Sequence, residues 1–199
     1  MPEPFRFCGG ALTGSKPAPG YAVAATTIGD AMMLELIRLT LFPAMMAFAA
    51  SSDLLTMTIA NRVSLILIAG FVLLAVLTGM SLTDMLAHAG AAAAVLVVAF
   101  TCFSFGWIGG GDAKLATATV LWLGLGHLAD YLVYASLLGG ALTLMLIQFR
   151  AMPMPQLLIG RDWAERLHRQ DCGVPYGIAL AVAALAVYPQ TEWMTALGI

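Results

Sequence analysis

Apolar residues in this chain come in long runs separated by short polar joints. The first run follows Glu35 and Arg38 and is almost wholly apolar from Leu39 to Ala50; others cover about 63–79, 85–105, 112–126, 129–149 and 174–188. Runs of this length exceed what a barrel strand needs and suit helices crossing a hydrocarbon core about 30 Å thick. The pattern therefore predicts an all-α fold, a polytopic membrane bundle of about six transmembrane helices, the first spanning about 33–50. Pro43 is expected to kink that first helix. The fourth run is short for a bilayer, so its helix is expected to tilt inside the bundle or to start below the interface.

Composition supports a membrane location. Of 199 residues, 61% are hydrophobic and only 10% charged, and the mean hydropathy is +0.91. Soluble proteins carry roughly 25% charged residues, so this chain could not cover a water-facing surface. The net charge of -2 and the lack of a basic patch give no reason to expect nucleic acid as a partner. Cys8, Cys102 and Cys172 are scattered, without a C-x-x-C pair, which speaks against a zinc site or a disulfide framework.

Residues 1–31 differ from the rest. They hold Pro2, Pro4, Pro17 and Pro19 and no apolar run long enough to span or to act as a signal peptide. Two readings stand: a disordered tail, or a start codon placed too far upstream, with translation beginning at Met32 or Met33. Residues 32–199 form one membrane-embedded domain in either reading.

Lysines and arginines set the orientation. Arg62 follows the first helix, Lys114 opens the fourth, and Arg150, Arg161, Arg166 and Arg169 follow the fifth, whereas the even-numbered loops carry none. All three odd-numbered loops are then cytoplasmic and both termini extracytoplasmic. Arg6 and Lys16 fall on the wrong side of this scheme. In the loop between helices five and six, Leu157, Leu158, Trp163 and Leu167 alternate with Arg161, Glu165, Arg166 and Arg169. That rhythm predicts a basic amphipathic helix along the membrane surface, with a role in holding substrate as the second reading.

This topology brings two carboxylates to one depth. Asp53 closes the first helix and Asp112 opens the fourth, directly after Gly109, Gly110 and Gly111. Ionisable groups in a membrane segment cost roughly 2.5–3.5 kcal/mol at its centre and less near its ends, and they mark functional sites. The plain alternative is two interfacial carboxylates, Asp112 serving as a helix cap. Two aspartates held within a few ångströms cannot both ionise and share one proton. One can then take a proton from water while the other polarises a peptide carbonyl. The glycines would let an extended peptide approach, or they form a flexible loop between helices. Serine chemistry is poorly served. Ser104 and Ser136 have no surrounding motif, His88 and His127 fall on the external side, and His168 lies in the surface loop. No cluster of ligands is visible, so neither metal nor cofactor is expected.

Three blocks now carry a resemblance. Gly109-Gly110-Gly111-Asp112 fits a G-x-G-D motif that Ala113-Lys114-Leu115 continues; Asp53 is followed by Ile59-Ala60-Asn61; and Val174-Pro175-Tyr176-Gly177-Ile178-Ala179 forms a P-Y-G-[VI]-A block. Together they resemble the type IV prepilin peptidases, membrane aspartyl proteases of the G-x-G-D kind, and the small Tad/Flp-pilus branch among them. The resemblance implies Asp53 and Asp112 as catalytic residues. It implies the leader peptide of a prepilin or pseudopilin as substrate, cleaved at the cytoplasmic face of a bacterial inner membrane beside pilus or secretion machinery. Lys114 would orient the pair, contact substrate or anchor the cytoplasmic end. Asn61 and Tyr176 would bond helix to helix around the site. Ala60 stands where the family's I-P-N has proline. The cytoplasmic insertion with paired C-x-x-C motifs, associated with N-methylation in larger relatives, is missing. Presenilin-like proteases share G-x-G-D, but their first aspartate follows tyrosine, and here Ser52 precedes Asp53. A small proton-coupled transporter and a non-catalytic assembly factor of the same fold are the competing readings.

Overall fold

The computed structural model describes residues 28–195, and the expectations for residues 1–27, including Arg6, Cys8 and Lys16, lie outside them. Among the described residues every regular element is a helix: α1 (Ile28–Thr56), α2 (Asn61–Leu77), α3 (Leu82–Ser104), α4 (Gly110–Leu123), α5 (Leu128–Ala151), α6 (Asp162–His168), α7 (Tyr176–Val187) and α8 (Glu192–Thr195). Single 3₁₀ turns precede α5 and follow α7. Six of these helices match the six apolar runs, and α6 falls inside the predicted amphipathic stretch.

Three segments are long and apolar enough to cross a membrane: Met32–Thr56, Leu82–Ser104 and Leu125–Ala151. Their outward faces expose Phe48, Val97, Phe100, Leu137 and Leu144, which in a bilayer meet lipid. The helix α1 continues through Pro43 and past Ala50 to Thr56, so Asp53 is helical and not in a joint. Asn61–Leu77 and Tyr176–Gln190 are shorter apolar helices.

The helix α4 lies at the centre, packed by α3, α2 and α7. Eight of its residues are buried, among them Leu115, Ala118, Thr119, Val120 and Trp122. A helix apolar all round is enclosed by protein, so its 14 residues need not match the thickness of a bilayer. Trp122 ties the centre together. Its Nε1 donates to the Leu67 carbonyl of α2 at 2.9 Å, and its own carbonyl accepts from Trp193 Nε1 at 2.9 Å. Close packing rests on small residues, notably Ala179, Ala181, Ala183 and Ala184 of α7.

The helix ends sort into two groups. One end gathers the C-terminus of α1 and the N-termini of α2, α4 and α7. Contacts among Asp53, Gly177, Asn61, Lys114 and Gly109–Asp112 hold them together. The other end holds Met80, Asp84, His88, Gly124, His127 and Glu192 around a separate cavity. The arginines and Lys114 that set the orientation belong to the first group, and the lysine- and arginine-free joints to the second.

The amphipathic stretch is docked onto the first end. Arg150, in the last turn of α5, donates to the carbonyls of Leu167 at 2.8 Å and of Cys172 and Gly173 at 2.9 Å. Arg166 donates to the Leu55 carbonyl in the last turn of α1. Ala164 and Leu167 are buried. The α6 helix is thus fastened to the ends of α1 and α5: its own Arg166 caps the α1 C-terminus and Arg150 of α5 caps that of α6, each meeting carbonyls that a helix end leaves unpaired.

Candidate active site

Asp53 sits in the last turn of α1, at the negative end of its own helix dipole, and is only 5% exposed. The α7 N-terminus offsets both penalties. Gly177 N–H donates to Asp53 Oδ2 at 2.8 Å, and no side chain from α7's own N-cap, Pro175, competes for that turn. The carboxylate therefore caps a helix that is remote in sequence. It reaches the backbone only because residue 177 is glycine. A Cβ there would lie 2.8 Å from Oδ2 and 2.7 Å from Ile59 Cδ1.

Directly after Asp53 the chain reverses. Met57 adopts φ 55, a left-handed conformation that glycine usually supplies at a helix C-terminus; in a non-glycine residue it stores about 1–2 kcal/mol. Its N–H closes onto the Asp53 carbonyl at 2.8 Å. Thr58 and Ile59 then lead to Ala60, the α2 N-cap, at φ -66 and ψ 137. That is the φ a proline ring enforces, so alanine here reproduces the turn that the I-P-N form specifies.

Asp112 is the third residue of α4, and Gly109 is the N-cap. The carboxylate folds back over the cap, where a Cβ on Gly109 would meet Oδ2 at 3.0 Å. An acid at this position is favoured by the dipole and by the unpaired first-turn donors. Asp112 is half-buried.

Both aspartates line one open cavity of about 270 Å³, together with Met57, Thr58, Ile59 and Gly109–Gly111. The glycines are not a loose loop. Gly110 and Gly111 form the first turn of α4, where a Cβ would stand 3.3 Å from the Phe103 ring and 3.2 Å from Ile59 Cβ. They let the head of α4 press against α3 and the α1–α2 joint, and they leave the cavity wall bare of side chains.

The remaining expected residues divide. Lys114 does not reach toward the carboxylates in this arrangement; its Nζ donates to Asn61 Oδ1 at 2.9 Å, joining α4 to α2. Tyr176 packs its ring on Gly139 of α5, where a Cβ would lie 3.2 Å away. Its hydroxyl pairs with Thr143 Oγ1 at 3.0 Å. Asn61 thus bonds α2 to α4, and Tyr176 bonds α7 to α5. Ser104 and Ser136 donate to carbonyls of their own helices, and His88 bonds the Leu121 carbonyl at 2.8 Å, far from the cavity in sequence and at the other end of the bundle. Gly177 is the residue that side-chain reasoning missed: it acts through a backbone N–H and an empty space.

The pair thus has two settings facing one cavity. Asp53 is buried and held by a backbone donor; Asp112 is less enclosed and sits on a glycine wall. Two carboxyl groups in unlike settings on one cavity are the kind of pair that general acid–base chemistry requires.

Searches of curated proteins and of solved structures found no match. The model of the type IV leader peptidase family matches residues 40–144, which include Asp53, Asn61, Gly109–Asp112 and Lys114 and end before the Tyr176 block. That match takes in more than half of the 199 residues, and it joins both halves of the cavity just described: the chain belongs to the type IV leader peptidase family.

Proposed function

We propose that the protein is a membrane aspartyl endopeptidase that removes the leader peptide of type IV or Flp-type prepilins or pseudopilins, with Asp53 and Asp112 as its catalytic pair. The observation that carries this reading is the shared cavity, in which carboxylates from the end of α1 and the head of α4 face one space walled by Gly109–Gly111.

The chemistry follows from the pair sharing one proton. The ionised aspartate takes a proton from a water as its oxygen attacks the scissile carbonyl carbon. The protonated aspartate donates to the carbonyl oxygen, giving a neutral tetrahedral diol. Collapse of the diol returns a proton to the leaving nitrogen, breaks the C–N bond and restores the shared proton. No covalent intermediate and no cofactor is required. The side-chain-free wall suits an extended peptide laid against the head of α4, while Lys114, Asn61 and Tyr176 keep α2, α4, α5 and α7 in register.

The positive charges at the cavity end support a cytoplasmic site in the inner membrane, with six helices embedded: three long, α2 and α7 shorter, and α4 enclosed. Residues 32–199 serve as one peptidase domain, and pilus or secretion machinery would take the product. Co-expression with a Flp-type prepilin tests the proposal. Asp53→Asn and Asp112→Asn should each leave the prepilin uncleaved while the protein still inserts, and normal processing by either variant would refute it.

A further inference from the structure

The joint between α3 and α4 carries no charged residue from Phe105 to Gly111, and it runs into the glycine wall of the catalytic cavity. It is a fixed turn. Gly106 N–H donates to the Phe103 carbonyl at 2.8 Å, and Trp107 N–H donates to the Cys102 carbonyl at 3.0 Å. With Gly106 at φ 75, these are the two bonds of a Schellman motif closing α3. The backbone on either side of Gly106 is therefore held, and so are the directions in which Phe105 and Trp107 leave it.

In such a motif the apolar residue after the glycine commonly folds back onto its own helix. Trp107 does not. Its ring stacks on Phe105, with centroids 5.3 Å apart and planes at 28°, and the two residues stay 72% and 67% exposed. Neither lines the catalytic cavity, whose walls are Asp53, Met57–Ile59 and Gly109–Asp112. Two stacked rings held open by a fixed backbone form a contact surface outside the core.

The length of α3 says what covers that surface. Its 23 residues rise about 34 Å, against a hydrocarbon core about 30 Å thick, so the residues just past its end emerge at the level of the headgroups. The exposed side chains of its last turns, Val97, Phe100 and Phe103, lead up to the pair, and the Phe100 and Phe103 rings meet at 6.3 Å. The pair thus continues the side of α3 that meets lipid. An indole, apolar in body with one N–H donor, favours this boundary. We propose that Phe105 and Trp107 anchor the α3–α4 joint in the headgroup region of the leaflet on the catalytic side and so fix the depth of the α4 head. Phe103 carries the link inward, because its ring lies where a Cβ on Gly110 would meet it at 3.3 Å. The anchoring itself does not depend on the peptidase reading; only its effect on cleavage rests on that reading.

Tryptophan fluorescence of the full chain in phosphatidylcholine vesicles tests this. Of the four tryptophans, Trp122 and Trp193 are buried and Trp163 is half-buried, so the difference between wild type and Trp107→Phe isolates Trp107. That component should be quenched by lipids brominated near the headgroup, less by lipids brominated near the chain ends, and hardly by aqueous iodide. Iodide quenching without bromolipid quenching would put Trp107 in water, and stronger quenching from the chain ends would put it in the hydrocarbon; either overturns the proposal, whatever the protein cleaves. In the cleavage assay, the double change Phe105→Ala and Trp107→Ala should slow cleavage in vesicles but not in detergent, where no bilayer sets the depth. Tyrosine at both positions should restore the rate. An equal loss in vesicles and detergent, no loss in either, or no rescue by tyrosine would contradict the anchoring role.

Discussion

Replacing Gly177 with alanine puts a methyl group where the Asp53 carboxylate now rests. The new Cβ would stand 2.8 Å from Oδ2, 3.0 Å from Cγ and 2.7 Å from Ile59 Cδ1. Carbon–oxygen contact this short is not sustained, so the carboxylate must leave the α7 N-terminus and lose the 2.8 Å bond from Gly177 N–H. A hydrogen bond to a charged group is worth about 1.5–3 kcal/mol. Asp53 is buried, so water does not replace the donor freely; in the proposed reaction the displaced carboxylate would no longer be aligned with its partner. At 1.4 kcal/mol per decade, cleavage should slow by about ten- to 150-fold. Stability should fall by about 1–3 kcal/mol as well, because the buried carboxylate loses its donor and the methyl overpacks Ile59. The assay is leader cleavage by purified protein in vesicles, with thermal unfolding alongside. Gly140→Ala in α5, where a Cβ would meet nothing within 4 Å, is the control and should cleave normally. Gly177→Ala cleaving at the wild-type rate would refute the role assigned to the α7 N-terminus.

Other expectations follow from single contacts. Gly111→Ala places a Cβ 3.2 Å from Ile59 Cβ and 3.5 Å from Ile59 N; it should displace the head of α4 and slow cleavage, less than Gly177→Ala does, in the same vesicle assay. Ala60→Pro should keep activity and raise unfolding stability by about 0.4–1 kcal/mol, because φ is already -66; loss of activity would contradict the turn described here. Arg150→Ala removes three carbonyl contacts to the α6 region, so limited proteolysis between residues 152 and 173 should accelerate while the rest of the bundle stays protected.

The run lengths and punctuation made the helices legible, since Gly, Pro and polar joints break an apolar chain at the places where helices end. The alternation of arginine and lysine placed Asp53 and Asp112 at one end, and their common cavity agrees with that placement. Asn61 and Tyr176 are polar residues at helix starts, but their partners, Lys114 at the head of α4 and Thr143 inside α5, are set by tertiary packing. Other features required tertiary contacts. The α4 helix looked short against a bilayer, but its surroundings are α2, α3 and α7 and not lipid. Gly177 lies inside the P-Y-G-[VI]-A block beside Tyr176, but its part is played by a backbone N–H, which leaves no mark in a sequence. Gly110 and Gly111 read as loop or as access for substrate, whereas their first duty is helix contact with Phe103 and Ile59. The docking of α6 through Arg150 and Arg166 was hidden too, because helix C-terminal carbonyls are partners that periodicity does not display.

The most direct test of the central claim is the rate of leader cleavage by purified wild type, Asp53→Asn, Asp112→Asn and the double variant in vesicles. If the two carboxylates act as one unit, each single change removes the shared proton's partner and all three variants fall to the same residual rate, grossly short of additive. Either single variant cleaving at the wild-type rate, or losses that simply multiply in the double variant, would contradict a shared-proton pair.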